Sequence, residues 1–177
     1  MRLILILLIV FPLYTFSQEP VNYSEAIEVP NVEKNELFLR GREWFNDNFK
    51  SSKDVLQVID KETGELSGKG FMEVVYTFRY MGERNAIADV KFQISVWVKD
   101  GKYKYELTNF YIPSRDGFVE FGLITSSNET NKTFPGYSAK KLNEMYLSIK
   151  QNTETKAKLL IEDLKLKMSK KSKSTDW

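Results

Sequence analysis

The side chains that could perform chemistry in this sequence are carboxylates, hydroxyls and lysines. Ser138 and Lys141 have the Ser-x-x-Lys spacing of the penicillin-binding enzymes, in which the serine is the nucleophile. The companion Ser-Asp-Asn and Lys-Thr-Gly motifs are absent from the sequence. Serine is also one of the residues that most often cap a helix at its N-terminus. We therefore interpret Ser138 as a helix cap.

Two glutamates, Glu73 and Glu106, are the only acidic pair that the sequence pattern places on the same exposed face of a sheet. Two carboxylates can hydrolyse a glycosidic bond without histidine or cysteine. Exposed sheet faces commonly carry glutamate beside lysine or threonine, however, because such neighbours stabilise adjacent strands. A carboxylate-based hydrolase is therefore the last of three functional alternatives, and no catalytic residue is predicted.

Composition excludes most other catalytic chemistry. The 177 residues include no histidine and no cysteine. The absence of both residue types excludes Ser-His-Asp triads, Cys-His dyads and nearly every transition-metal site, so no metal and no cofactor are expected. Hydrophobic residues make up 42% of the chain and aromatic residues 14%, which is typical of a folded domain. A net charge of +2 provides no general basis for nucleic-acid binding.

Residues 1–17 have the order of a secretory signal peptide. Arg2 supplies a positive charge, residues 3–10 are an unbroken apolar run, and small residues precede Gln18. The apolar run is too short for a membrane-spanning helix, and no cysteine follows it that could carry a lipid. We therefore predict an exported protein, periplasmic or secreted, that is not a lipoprotein and has no membrane span after cleavage.

Hydrophobic periodicity and turn residues predict the secondary structure. Helices are expected at 33–48 and 139–168, and strands at 23–29, 55–60, 66–80, 90–99 and 102–112. Residues 113–136 are a long loop that can hold a short extra strand at 118–124. The order β-α-β-β-β-β-α predicts an α+β, two-layer domain, in which an antiparallel sheet carries both helices on one face.

The final helix affects the domain boundary. We assign residues 18–137 to the domain, and residues 138–177, a helix with a lysine-rich tail, to the same domain at least to about residue 150. A helix continuous from 139 to 168 would be about 45 Å long, more than the roughly 30 Å width of a small domain. The helix is therefore expected either to break near Asn152 or to project from the domain and bind a partner.

The dipeptide Asp100-Gly101 predicts the register of the two strands that it joins. Asp-Gly between alternating strands indicates a two-residue type I′ turn. Such a turn pairs residues whose numbers sum to 201, so that Trp97 faces Lys104 and Lys91 faces Phe110. This register separates an apolar face from a mixed one, and a slip by one residue would destroy the separation.

The mixed face of the predicted sheet carries aromatic and basic side chains together. Tryptophan and arginine are enriched where partners bind. The alternative is that the loop 113–136 or the far helix covers this face, or that Lys104 simply lies on the ring of Trp97. The candidate binding residues are Phe71, Arg79, Lys91, Trp97, Lys104 and Phe110.

Several stretches of the sequence resemble a known family. They include Val29-Pro30-Asn31-Val32, Trp44-Phe45, Gly64-Glu65-Leu66-Ser67-Gly68-Lys69-Gly70 and Val98-Lys99-Asp100-Gly101. Over about residues 23–112 the chain is similar to the exported bacterial domains of unknown function 4468. That resemblance implies a fold like one repeat of the TATA-binding protein, which agrees with the predicted element order. It implies no catalytic residues.

Three functions are compatible with these observations. The first is a non-enzymatic exported module of the bacterial cell envelope that binds an unknown protein or envelope partner. The second is a structural accessory of an envelope assembly, docking through the apolar stripe of the final helix: Leu159, Leu160, Leu164 and Met168. The third is the carboxylate-based hydrolase. Nucleic acid is not an expected partner, because an exported and nearly neutral domain would bind phosphates weakly.

Overall fold

Six strands form one antiparallel sheet, and two helices pack on one of its faces. The computed structural model describes residues 18–49, 55–79 and 81–170. The predicted signal peptide and residues 171–177 of the lysine-rich tail lie outside these residues. The elements are β1 (Tyr23–Glu28), α1 (Lys34–Asn48), β2 (Leu56–Asp60), β3 (Glu65–Arg79), β4 (Glu83–Lys99), β5 (Lys102–Ile112), β6 (Gly122–Leu123) and α2 (Ala139–Ser169). This order confirms the predicted α+β two-layer architecture.

The sheet order is β1-β5-β4-β3-β2, with β6 paired to the end of β5. Along β3, β4 and β5 the side chains alternate between a buried and a more exposed face, as the sequence pattern predicts. The buried face packs under both helices, where each fully buried large apolar side chain contributes about 1.5–3 kcal/mol. Its fully buried members include Leu37 and Trp44 of α1, Leu66 and Ile94 of the sheet, and Ile149 and Leu164 of α2.

Gly41 lets α1 lie close against the sheet. A Cβ atom at this position would be only 2.8 Å from Cδ1 of Leu66. Glycine costs a helix interior about 0.5–1 kcal/mol relative to alanine. That cost is offset because the missing side chain allows the helix to approach the sheet.

The final helix neither breaks nor projects, so both predicted alternatives are wrong. α2 is continuous over 31 residues, about 46 Å. Its second half packs inside the domain, where Ala157, Ile161, Leu164 and Met168 are buried. The domain is long enough for this because β4 alone has 17 residues, which span about 56 Å. The expectation failed because it assumed a round domain of average width.

The turn between β4 and β5 differs from the predicted type, although its register is correct. Lys99 pairs with Lys102, and Trp97 pairs with Lys104. Gly101 has a φ of +71°, but Asp100 is not among the residues with positive φ, as a type I′ turn would require. Tertiary contacts hold this turn, since Asp100 Oδ1 accepts a hydrogen bond from the backbone N–H of Lys34 at 2.7 Å.

Replacing Gly101 with valine is expected to destabilise the domain by about 1–2 kcal/mol, because a β-branched residue resists a positive φ. A Cβ at this position would meet no atom within 4 Å, so the loss would come from backbone strain alone. Urea midpoints measure the loss. Gly101→Asn is the matched control, and it should lose less because asparagine tolerates the left-handed region. Equal midpoints for wild type and Gly101→Val would contradict the turn geometry.

Candidate binding face of the sheet

The face of the sheet opposite the helices carries exposed apolar side chains. Phe71, Val75 and Ile87 are 66%, 54% and 45% exposed, and we call these three residues the apolar strip. Val75 and Ile87 are cross-strand partners, while Phe71 pairs with Lys91. In the part of the chain that the structure describes, neither helix packs on this face. The apolar strip therefore meets solvent.

Two carboxylates lie directly opposite each other within the apolar strip. Glu73 of β3 pairs with Asp89 of β4. Like charges in this arrangement repel each other. Arg115, from the segment after β5, compensates for the repulsion: its Nη1 lies 3.0 Å from Asp89 Oδ1 and 3.5 Å from Glu73 Oε1. Sequence reasoning missed Asp89 and Arg115, because only the fold brings the segment after β5 against these strands.

Trp97 and Lys104 form a second feature at the other end of the same face. They are cross-strand partners, and Lys104 Nζ lies 5.6 Å from the centroid of the indole ring. The same ammonium group pairs with Glu106 Oε1 at 2.5 Å. Trp97 is half-buried among these neighbours. The predicted contact between the lysine and the ring is therefore present, and the indole still offers part of its surface to a partner.

The structure does not bring the six predicted site residues into one patch. Phe71 lies beside Lys91, and Trp97 lies beside Lys104. Lys91 and Trp97 are six positions apart on β4, which is about 20 Å along the strand. Arg79 pairs with Glu83 at the far end of the sheet. The face therefore has two separate aromatic–lysine pairs.

The prediction that Phe110 lies on the open face is wrong. The predicted register holds from Lys99 to Gln93, which pairs with Thr108, and then shifts so that Lys91 pairs with Tyr111. Asn109, with a φ of +56°, is the extra residue of this bulge. Phe110 consequently points into the core, where it is 1% exposed and stacks on Phe92 with ring centroids 5.9 Å apart.

Tyr111 takes the open-face position that was predicted for Phe110. Its hydroxyl donates a hydrogen bond to the carboxylate of Glu120, and this bond is the main reason that the pKa of Tyr111 is raised above its ordinary value. Asn109 was the signal that sequence reasoning could have used, because asparagine tolerates positive φ better than most residues do.

The two glutamates considered for hydrolysis are too far apart to act together. Glu73 pairs with Asp89, and Glu106 pairs with Ser95. The β4 partners of the two glutamates, Asp89 and Ser95, are six positions apart, or about 20 Å. The two carboxylates of a glycosidase lie about 5–9.5 Å apart. Among the described residues, no group of three or more histidine, cysteine, aspartate or glutamate residues could hold a metal ion.

The loop after β5 packs mainly against the helix side of the sheet. Val119, Phe121 and Ile124 are buried in the core, and β6 lies within the short strand predicted at 118–124. The guanidinium of Arg115 is the group from this loop that reaches the carboxylates of the open face. The apolar strip is therefore not covered by this loop, which was one of the alternatives left open by the sequence.

Much of the apolar stripe predicted for docking through the final helix is buried. Leu164 and Met168 are buried, and Leu160 packs partly against the core. Leu159 is 65% exposed, and Leu166, seven residues further along α2, is 52% exposed. No helix in the described part of the chain is long and apolar enough to cross a membrane.

The fold and the open face define an α+β two-layer domain whose sheet is covered on one side. Residues 23–112 match the family described as "domain of unknown function (DUF4468) with TBP-like fold". The chain belongs to this family, and the predicted family and fold are confirmed. No curated protein matches the sequence.

Solved structures agree with this fold. The chain is similar to a DUF4468 family protein from Bacteroides ovatus ATCC 8483, with 16% identity, a TM-score of 0.61, and coverage of 87% of this chain and 89% of that one. It is also similar to a TBP-like protein from Parabacteroides distasonis ATCC 8503, with 12% identity, a TM-score of 0.51, and coverage of 82% and 93%. At these identities the likeness establishes the fold alone.

Proposed function

We propose that the protein is a non-enzymatic, exported module of the bacterial cell envelope that binds a protein partner through the open face of its sheet. The observation that carries this proposal is the apolar strip, in which three large apolar side chains are exposed together on one uncovered face. Clustered exposed apolar side chains of this kind are typical of interaction sites. The signal-peptide order of residues 1–17 supports export.

The proposed interface combines apolar and charged side chains. Exposed apolar side chains supply the area that a partner would bury, and charged groups beside them fix the register of the partner. Here Lys91 lies beside Phe71, and the Arg115 cluster separates Phe71 from Val75 and Ile87. Phe71 is the most exposed of the three strip residues, so it is the side chain that would gain most from burial against a partner.

Phe71→Ala is expected to weaken partner binding by about 2 kcal/mol, or roughly thirtyfold, while leaving the melting temperature nearly unchanged. Trp97→Ala should also weaken binding if the interface extends along β4 to the second aromatic–lysine pair. The measurement is the yield of partner cross-linked to the mature protein in its own envelope, together with thermal melting of each variant.

The matched control is Leu159→Ala, because Leu159 is 65% exposed but lies on the helix layer. We expect it to leave the cross-linked yield unchanged. If Leu159→Ala abolishes capture while Phe71→Ala and Trp97→Ala do not, the open face is not the binding site, and docking through the final helix replaces this proposal.

A further inference from the structure

In the described part of the chain, the first half of β4 has no neighbouring strand on the side away from β3. β4 begins at Glu83, but its pairing with β5 begins only at Lys91. The backbone N–H of Val98 donates a hydrogen bond at 2.9 Å to the carbonyl of Gly64, the residue just before β3. Backbone groups alternate in direction along a strand, so even-numbered residues of β4 point to β3 and odd-numbered residues point away from it.

This alternation gives the free edge its hydrogen-bonding groups. The N–H and C=O groups of Asn85, Ile87 and Asp89 point away from β3, and no described residue forms a hydrogen bond with them. Unpaired groups of this kind are a template for another strand. Every residue from Glu83 to Trp97 faces a residue of β3 without a register shift, so the edge is regular.

An apolar cleft lies directly beside this edge. It has a volume of about 470 Å³ and separates the edge from residues 112–121. Ala86 and Ala88 line it from β4, and their small side chains leave its space open. Most of the remaining lining is apolar or aromatic and comes from Tyr76 of β3, Ile149 of α2 and the segment 112–121: Ile112, Phe118, Val119 and Phe121.

The mouth of the cleft carries an excess of negative charge. Arg115 lies between Glu73 and Asp89, and its Nε is 3.9 Å from Oδ2 of Asp116. Three carboxylates therefore surround one guanidinium. The Asp116 side chain is 95% exposed, so it is available to a cation arriving from outside.

We propose that the β4 edge and its cleft bind an extended peptide segment of a partner protein by strand addition. The backbone of the peptide pairs with Asn85, Ile87 and Asp89. An apolar side chain at an alternate position enters the cleft beside Ala86 and Ala88, and a lysine or arginine of the peptide meets the carboxylates at the mouth. This mode joins backbone pairing, which gives affinity, to a side-chain pocket, which gives specificity.

This site overlaps the interface of the proposed function at Ile87 and at the carboxylates around Arg115, but Phe71 does not line the cleft. Phe71 and Val75 belong to β3, and the edge groups are backbone atoms on the other side of β4. A single peptide strand fits the arrangement better than a second copy does, because each copy would bring its own residues 112–121 against the same edge. Phe71 does not line the cleft and Ala88 is buried beside it, so substitutions at these two residues test the open face and the cleft separately.

The probe is a phage-displayed library of random peptides about nine residues long, selected on the mature full-length protein. Selected peptides are then measured by fluorescence anisotropy. We expect sequences that alternate apolar residues and include a lysine or arginine, and hydrogen exchange should show that the peptide protects the N–H groups of Asn85, Ile87 and Asp89. Without peptide these amides should exchange faster than those of Ala86 and Ala88, which bond to β3.

Two variants separate backbone pairing from side-chain contact. Ile87→Pro removes the N–H group at the edge but none that bonds to β3, and it should weaken peptide binding by at least about tenfold. Ile87→Ala keeps the N–H group and removes most of the side chain, so it is the reference for the side-chain loss that Ile87→Pro also causes, and Ile87→Pro should bind the peptide at least about tenfold more weakly than Ile87→Ala does. Ala88→Leu fills the cleft and should also weaken binding by at least about tenfold, which keeps the test valid if Ile87→Pro does not fold.

Several outcomes would overturn the proposal. They are no enrichment of peptides, equal affinity for Ala88→Leu and wild type, or slow exchange of the Asn85, Ile87 and Asp89 amides in the free protein. If the wild-type protein forms a concentration-dependent dimer and Ile87→Pro is monomeric, the edge pairs with a second copy of the chain instead. Phe71→Ala should leave peptide affinity unchanged, so a failure of the open-face interface would not be mistaken for a failure of this site.

Discussion

Replacing Phe110 with alanine is expected to destabilise the domain by about 3–5 kcal/mol. Its ring is 1% exposed, stacks on Phe92, and meets Tyr23 edge-on with ring centroids 5.9 Å apart. Truncation would remove the burial of the ring and leave a cavity beside the rings of Phe92 and Tyr23. Urea denaturation of the two proteins measures the loss.

Phe71→Ala is the matched control for this prediction. Phe71 is the same residue type in the same sheet but is 66% exposed, so its loss should change stability by less than about 1 kcal/mol. If both variants lose the same stability, then Phe110 does not lie in the core. The regular register expected from the turn, without the bulge at Asn109, would then describe the strand better.

Trp44→Ala should be equally severe, at about 3–5 kcal/mol. Trp44 is fully buried between the sheet and the helices, where its ring meets Phe45 and Phe49. Its indole Nε1 donates a hydrogen bond to Oδ2 of Asp163 on α2 at 2.9 Å. The side chain therefore joins α1 to the second half of the long helix, and its loss should loosen that half in particular.

Two further variants test this account of Trp44. Trp44→Phe keeps most of the buried volume but loses the hydrogen bond to Asp163, and it should cost less than the alanine change, about 1–2 kcal/mol plus a small packing loss. Trp97→Ala, at the half-buried tryptophan, should cost the least. Hydrogen exchange along residues 157–168 should rise in Trp44→Ala, and unchanged exchange there would contradict the joining role.

Much of this fold was predictable from local sequence. The apolar alternation of residues 90–99 and 102–112, with Asp100-Gly101 between them, predicted both strands and their register next to the turn. Turn preferences and the alternation of side chains along a strand depend on a few consecutive residues, so both can be deduced from the local sequence. Ser138 was predicted as a helix cap, and its side chain accepts a hydrogen bond from the N–H of Lys141.

The site was less predictable, because its parts come from segments distant in sequence. Trp97 beside Lys104 follows from one hairpin and was deduced correctly. Arg115 against Asp89 depends on where the segment after β5 runs once β5 has ended, and no local pattern encodes that path. The free edge of β4 also depends on long-range structure. It exists because β4 begins at Glu83, whereas its pairing with β5 begins only at Lys91.

Local patterns were sufficient to predict the element order and the faces of the strands near the turn, and the composition excludes histidine and cysteine chemistry. Long-range packing places Phe110 in the core, keeps the final helix whole and makes Glu73 and Asp89 neighbours of Arg115. The two groups of features differ in the sequence distance over which their interactions act. Periodicity and turn preferences are properties of a few consecutive residues, whereas a bulge, a helix path and an unpaired strand edge are decided by how the whole sheet and both helices fill the space between them.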